Sequence, residues 1–548
     1  MRYLLLLLAS ILWACSTPKA ESLPQEIPPN PELDFRPNIL WIVAEDLSPF
    51  LPSWGDSTIE TPNISRLVAE GVRYTNCFSP SGVCAPSRAA ISTGMYPSHI
   101  GAHHMRTGGR KEYLPEGLVP YEAFPPPEVQ MHSERLRRAG YYCSNNSKED
   151  LQYRKTPTAW DESSRTAHWK NRKAGQPFFA IFNLGITHES QIWARAEDSL
   201  WVDEDLEVNV PPYLPDNEVG RRDVRRMYSN IKIMDKQAGD LLRELEEAGL
   251  MDSTIIFWYS DHGGPLPRMK RLVYDSGIQL PLVIRFPDKY RAGETDAQLV
   301  SFIDFKPTVM SLAGIEPGDF LDGKAFLGKY ARKEEAKYVH AAGDRFDAKY
   351  DMVRAVRDDR YKYIRNFQPE KPMYLPVTYR ENMPIMQELL RMRDAGELNE
   401  VQALWFREGK PKFEFYDTQN DPHEINNLAN DPSYTDKIRE LSEECDRWMD
   451  EIEDKGLIGE IEYVKGIWPD MIQPLTAEVV IEQEEGMITL SSKTEGASIG
   501  YQMVGKDEEA GKVWEVYKEA FEVPKGKKLI TVAHRIGFKR SEHVEKVF

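Results

Sequence analysis

From Pro37 onward the chain alternates short apolar runs with amphipathic stretches. "NILWIVA" (38–44) is continuously apolar, as a strand buried on both faces of a parallel sheet must be. "TPNISRLVAEG" (61–71) carries helix punctuation: Thr61 as cap, Pro62 at the first helical position and Gly71 as the stop. "SERLRRAG" (133–140) predicts a helix opened by a serine cap and closed by a glycine. "FFAIFNLG" (178–185), a long amphipathic helix over 224–249, "STIIFWYSDHGG" (253–264) and "PLVIRF" (281–286) continue the series. Strands alternating with helices predict an α/β fold, a mostly parallel central sheet sandwiched by helices.

The character changes after about residue 335. "MVRAVRDDRYKYIRNF" (352–367) predicts two strands joined at "DD", residues 380–410 read as helical and charged, and 431–456 as one amphipathic helix with a solvated face. From about 475, short alternating runs such as "AEVVIEQEEGMITLSS" and "KLITVAHRIGF" predict a small β-sandwich. The expected organisation is a leader and tether over 1–30, an α/β catalytic domain over 36–335, a smaller C-terminal α+β subdomain over 336–457 and an appended β-sandwich over 470–548.

The leader, "MRYLLLLLASILWACSTPKA", has Arg2, a short apolar run and then small residues, an export signal too short to span a bilayer. "LWAC" resembles a bacterial lipoprotein box in which Cys15 is lipidated; the plainer reading is a signal peptide with an incidental cysteine. Either way the expected location is outside the cytoplasm, in the periplasm or as an outer-membrane lipoprotein, with a lipid anchor as the only membrane contact. Lys and Arg number 69 against 87 Asp and Glu, a net charge of −18, which excludes a general nucleic-acid binder. With Cys15 set aside, Cys77, Cys84, Cys143 and Cys445 remain, too few for a disulfide scaffold, and no pairing follows from their spacing.

Ligands of parallel α/β sheets gather at the carboxyl ends of strands. "NILWIVA" runs into Glu45-Asp46, and "STIIFWYS" runs into Asp261-His262. Either pair alone would read as a turn or cap; together they suit a hard, oxygen-loving cation, calcium rather than zinc. In "SGVCAPSRAAISTG" (81–94), Cys84 falls at a predicted helix start, with Arg88 one turn on. The helix N-terminus and that positive charge favour a thiolate. A small buried cysteine is the bland alternative.

C-x-P-S-R followed by "AAISTG" resembles the signature of the formylglycine-dependent sulfatases of the alkaline phosphatase superfamily. "NILWIVAEDLS", "MDKQAGDLLRELEEAGLMDSTIIFWYSDHGG", "YDSGIQLPLVIRFP" and "FEFYDTQNDPHEINNLAND" are similar to further motifs of that family, and the likeness runs over about residues 36–455. It implies that a maturation enzyme oxidises Cys84 to formylglycine (3-oxoalanine), and that Glu45, Asp46, Asp261 and His262 bind one Ca2+ with the modified residue. Glu45 stands where many sulfatases have Asp, and His262 where others have Asn. The resemblance further implies that one hydroxyl of the hydrated aldehyde attacks sulfur, with Arg88 beside it, and that the other expels sulfate. His188, after "FFAIFNLGIT", is implied as general acid; Lys270, with Arg271 as its rival, as the clamp on the sulfate oxygens; and His104, with His103, as facing the sulfate or the proton in flight. Arg106 and "KTPTAWDESSR" (155–165) are candidates for the sugar subsites. The implied substrate is a sulfated oligosaccharide or polysaccharide. Two other readings are a phosphoryl hydrolase of the same superfamily, which would prefer transition metals, and a catalytically silent glycan-binding lipoprotein.

Overall fold

The computed structural model describes residues 35–109 and 111–548; the leader with Cys15 and the tether lie outside them. The central sheet is built from β1 (Asn38–Ala44), β2 (Val72–Phe78), β3 (Tyr142–Asn146), β4 (Glu162–Ser163), β5 (Phe178–Leu184), β6 (Thr254–Ser260), β7 (Gln279–Arg285), β8 (Thr295–Asp296) and β9 (Val300–Ser301). Its order is β4-β3-β5-β1-β6-β7-β2-β8, with β9 also on β2. The pairs that hold the centre, β3 with β5, β5 with β1 and β1 with β6, are parallel; β7 runs antiparallel to both β6 and β2.

Every residue of β1 is buried, and alternate residues serve opposite layers. Ile39, Trp41 and Val43 pack with residues of α2 (Cys84–Thr93), α3 (His132–Arg138) and α7 (Phe305–Leu312). Leu40, Ile42 and Ala44 pack with residues of α1 (Pro62–Glu70) and α5 (Glu218–Glu247). That two-sided burial is why the run is apolar without alternation, and it makes the sandwich.

Helix boundaries differ from the sequence expectations where a side chain other than the nearest hydroxyl supplies the cap. Helix α3 starts at His132, with Ser133 already inside it, because the Glu134 carboxylate accepts the Met131 backbone N–H at 2.9 Å. Helix α5 starts at Glu218 rather than 224, since the Asn217 side chain accepts from the Gly220 N–H at 3.1 Å. Thr61 is the N-cap of α1, but its hydroxyl makes no capping bond.

A second, antiparallel sheet runs β10 (Val339–Gly343), β11 (Val353–Arg357), β12 (Tyr361–Asn366) and β13 (Phe413–Asp417), accompanied by α10 (Thr435–Glu451). A short helix not foreseen from the sequence, α11 (Glu460–Ile467), follows, and its Tyr463 and Val464 cluster with Leu118 and Tyr121. The last segment folds as a three-stranded and a four-stranded sheet. It meets the α/β part through Phe538 stacked on Phe124 and through Arg137 donating to the Trp514 carbonyl at 2.8 Å. Cys77, Cys84, Cys143 and Cys445 are free and buried.

Trp41 is fully buried, with the rings of His132, Phe179, Phe257, Tyr259 and Phe305 around it. Trp41→Ala is therefore expected to destabilise the α/β part by about 3–5 kcal/mol. A denaturant midpoint within error of the parent chain would contradict this assignment of the core.

Candidate active site

Strand register assembles the site. Ala44 pairs with both Leu184 and Ser260, so residues following β1, β5 and β6 leave the sheet side by side at its carboxyl edge. Those residues are Glu45-Asp46, His188-Glu189 and Asp261-His262. Strand β3 pairs with β5 up to Asn146–Phe182 and delivers Lys148 to the same edge. Cys84 enters from below as the first residue of α2, its side chain buried at the helix's positive end.

Asp46 and Asp261 are both fully buried. The Asp46 N–H donates to Asp261 Oδ1 at 3.1 Å, and Asp46 Oδ2 accepts from Lys270 Nζ and the Glu189 N–H, each at 2.7 Å. Asp261 Oδ2 is held by Arg88 through Nε at 3.0 Å and Nη2 at 2.9 Å, while Arg88 Nη1 donates to Asn183 Oδ1 at 2.6 Å. His262 Nε2 lies 3.2 Å from Cys84 Sγ and 3.1 Å from Asp46 Oδ1. Lys148 Nζ donates to Glu45 Oε2 at 2.8 Å and lies 4.0 Å from Asp261 Oδ2. Lys270 Nζ reaches His188 Nε2 at 3.2 Å, and His188 Nδ1 meets the Ser190 hydroxyl at 2.9 Å. Arg271 grips Glu189 with two bonds of 2.8 Å.

The charges decide the protonation states. Burial pushes the Cys84 thiol up, but the ammonium groups of Lys148 and then Lys270 outweigh it and bring the thiol to about 6. Burial works against ionised Asp46 and Asp261 too, yet Lys270 beside Asp46, and His262 and Arg88 beside Asp261, hold both well below the ordinary carboxylate range. Burial alone would keep His262 neutral; Asp261, Cys84 and Asp46 instead raise it to about 10. One imidazole and two carboxylates surround residue 84, with ligand atoms of Asp46, Cys84, Asp261 and His262 all within 4.8 Å of one another; Glu45, Asp46 and His188 form a second such group.

The residues expected from sequence are not all brought together. Glu45, Asp46, Cys84, Arg88, His188, Asp261, His262, Lys270 and Arg271 form one connected network. His103 and His104 make no hydrogen bond or ion pair with that network and have their contacts elsewhere. His104 Nδ1 accepts the Arg345 N–H at 3.2 Å and its Nε2 is 3.8 Å from Glu460, at the start of α11, while His103 packs on His104 and Tyr463. Burial leaves both neutral, His103 at about 3. Arg106 is exposed at the rim, 3.4 Å from Asp150. In the 155–165 stretch, Thr156 and Thr158 donate to Glu134 at 2.6 Å, which ties that part to α3. Sequence reasoning missed Lys148, Asn183 and Glu189. The signal for Lys148 was a basic residue just past a strand of the same sheet, but the polar "YCSNN" of β3 disguised that strand.

A family model described as Sulfatase matches residues 37–143 and 131–315, and one described as N-sulphoglucosamine sulphohydrolase, C-terminal, matches 268–389. The chain is 48% identical over 550 residues to an ulvan-active sulfatase of Formosa agariphila, covering 94% of this chain and 92% of that protein. Among solved structures it resembles one in complex with its substrate D-glucosamine-2-N,6-O-disulfate, with a TM-score of 0.54, 18% identity and coverage of 77% of this chain and 99% of the other. It also resembles a phosphonate monoester hydrolase of Agrobacterium radiobacter, with a TM-score of 0.52, 16% identity and coverage of 76% and 96%. At such identities these two structures speak to the fold alone.

While residue 84 is still a thiol, the field around it sets a measurable titration. Thiolate absorbance in an unmodified chain carrying Cys15→Ser should rise with a midpoint near pH 6, because burial pushes the Cys77, Cys143 and Cys445 thiols far higher. Lys148→Met should move that midpoint upward. A parent midpoint at the ordinary cysteine value of about 8.5 would contradict the electrostatics described.

Proposed function

Because the chain belongs to the sulfatase family, we propose that it removes sulfate from a sulfated carbohydrate with Cys84 matured to formylglycine and one Ca2+ beside it. The observation that carries this reading is the convergence of buried Asp46, Asp261 and His262 on residue 84, braced by Lys148, Lys270 and Arg88. The donor set fits a hard cation: carboxylate oxygens dominate, with one imidazole. The negative field that raises His262 to about 10 is the field a divalent ion would satisfy. Asp46, Asp261 and His262 with residue 84 would hold the ion, with Glu45, grouped with Asp46 and His188, as a further carboxylate ligand. When bound, calcium and the hydrated aldehyde supply an acidified hydroxyl as nucleophile and a second hydroxyl that lets sulfate leave.

The chain's own residues do the rest. Lys148 and Lys270 flank residue 84 and supply fixed positive charge for the oxygens of a sulfuryl group. Arg88 pins Asp261, so the carboxylate keeps its aim and its charge. His188 is half-buried, so it is open to a substrate, and in contact with Lys270; this pair holds the proton the leaving sugar oxygen needs. Glu189 and Arg271 form a fixed buttress behind Lys270, which is 3.2 Å from Glu189.

The near relative's name points to ulvan, so sulfated algal polysaccharide of that kind is the first substrate class to test. The leader and Cys15 suit an exported lipoprotein in the periplasm or at the outer membrane, and Cys84 in its C-x-P-S-R setting suits a sulfatase-maturation enzyme.

Matured protein should release inorganic sulfate from ulvan oligosaccharides in Ca2+ and should prefer sulfate to phosphate esters. Cys84→Ala should reduce release to background with no change in melting temperature, and mass spectrometry of the active-site peptide should find an aldehyde in place of the thiol. Full activity from a peptide that still carries its sulfur would end the formylglycine reading. Phosphate-ester hydrolysis with Mn2+ or Zn2+ and no sulfate release would favour the phosphoryl hydrolase.

A further inference from the structure

Beside the site lies a cavity open to solvent, with about 70 Å³ of room inside it. Arg271 belongs to both places: it lines the cavity and is clamped by Glu189 of the site network. Much of the wall is apolar, with Leu272, Ile364, Met373 and Val377 among its residues. The carboxylates on it are already engaged. Asp344 is held by Arg354 at 3.1 Å, Asp351 by Lys410, and Glu414 by Tyr274 at 2.8 Å and Asn366 at 2.7 Å.

Arg380 is the exception among the wall's buried cations. It is 4% exposed, and its Nη2 donates to the Leu375 carbonyl at 2.7 Å. Its guanidinium lies over Trp405 and Tyr374, 4.9 and 5.3 Å from the ring centroids. Its Nε has no hydrogen-bond partner, and no carboxylate among the described residues forms an ion pair with it. Burial first, and then Arg271, pull this guanidinium down to about 10, although Glu189 and Glu381 pull the other way from beyond ion-pair distance. The neighbouring residue, Tyr379, has its ring 6.3 Å from that of His188, so one loop borders both the cavity and the Lys270–His188 pair.

We propose that this cavity is a subsite for a second anionic group, a carboxylate or a sulfate on the sugar adjoining the one that loses its sulfate, with Arg380 as the ion partner. A buried guanidinium lacking a counter-ion is unfavourable, and an incoming oxyanion relieves that while gaining charge-assisted hydrogen bonds. The apolar wall suits the C–H face of the adjoining ring. The ring contacts with Trp405 and Tyr374 fix the guanidinium plane, so the subsite is preformed. The inference rests on the reading of the chain as a carbohydrate sulfatase.

The test uses matured full-length protein and four probes: a sulfated disaccharide whose adjoining sugar carries a carboxylate, the same disaccharide with that carboxyl reduced to the alcohol, one with a second sulfate there instead, and 4-nitrophenyl sulfate. The parent protein should favour one or both anionic disaccharides over the reduced one by about tenfold to 100-fold, mainly through KM. The anion giving the larger preference identifies the natural group. Arg380→Gln should collapse that preference toward one, and Arg380→Lys should restore part of it. An equal rate on anionic and reduced disaccharides by the parent overturns the subsite, and so does a preference that survives Arg380→Gln; neither result touches the sulfatase reading. That reading fails on a separate result, no sulfate released by the parent from any of the four. The comparison among substrates on the parent protein needs no variant, so a poorly folding Arg380→Gln leaves the test intact.

Discussion

Buried charge matched by buried charge is the constraint on which this molecule turns. Asp46 and Asp261 have no exposure to water, and each is held by a buried cation, Lys270 at 2.7 Å and Arg88 at 2.9 Å. Removing one partner of such a pair is costly because the other is left as an uncompensated charge. The cations also do a second task. Lys148 and Lys270 keep the carboxylates ionised and, from the same positions, present positive charge to residue 84. A site built only to bind metal would have no need of two lysines there; one built to receive an oxyanion next to a metal has use for both.

The sheet makes that arrangement possible. Three parallel strands in register, β5, β1 and β6, end together, so three consecutive-residue pairs far apart in sequence emerge as neighbours. The apolar, two-sided burial of β1 fixes the register, since a one-residue slip would exchange the two core layers and move Glu45 to the position of Asp46. Packing in the core thus decides geometry at the edge, which links Trp41 and its ring of aromatics to the site's chemistry.

What the sequence disclosed follows the same logic. Acidic pairs directly after apolar runs were legible, because strand ends are visible in the pattern and carboxylates there have few other uses. Cys84 was legible through a compact local motif. Lys148 was not, because β3 is short and polar at its end, and Glu189 was hidden as an ordinary acid after a histidine. His103 and His104 fall outside the network for a different reason. The direction of the loop after α2 is set by contacts with Arg345 and with α11, more than two hundred residues downstream, and no local pattern encodes them. Arg380 is the same kind of case: that no carboxylate among the described residues closes an ion pair with it is visible only in three dimensions.

The most direct test of the central claim is a crystal structure of matured protein grown with calcium. The account predicts an ion with oxygens of Asp46 and Asp261 about 2.3–2.6 Å away, oxygen rather than sulfur on residue 84, and Lys148 and Lys270 still facing that residue. An intact thiol at 84, with His262 in direct contact with Asp46 and no ion between the carboxylates, would contradict it.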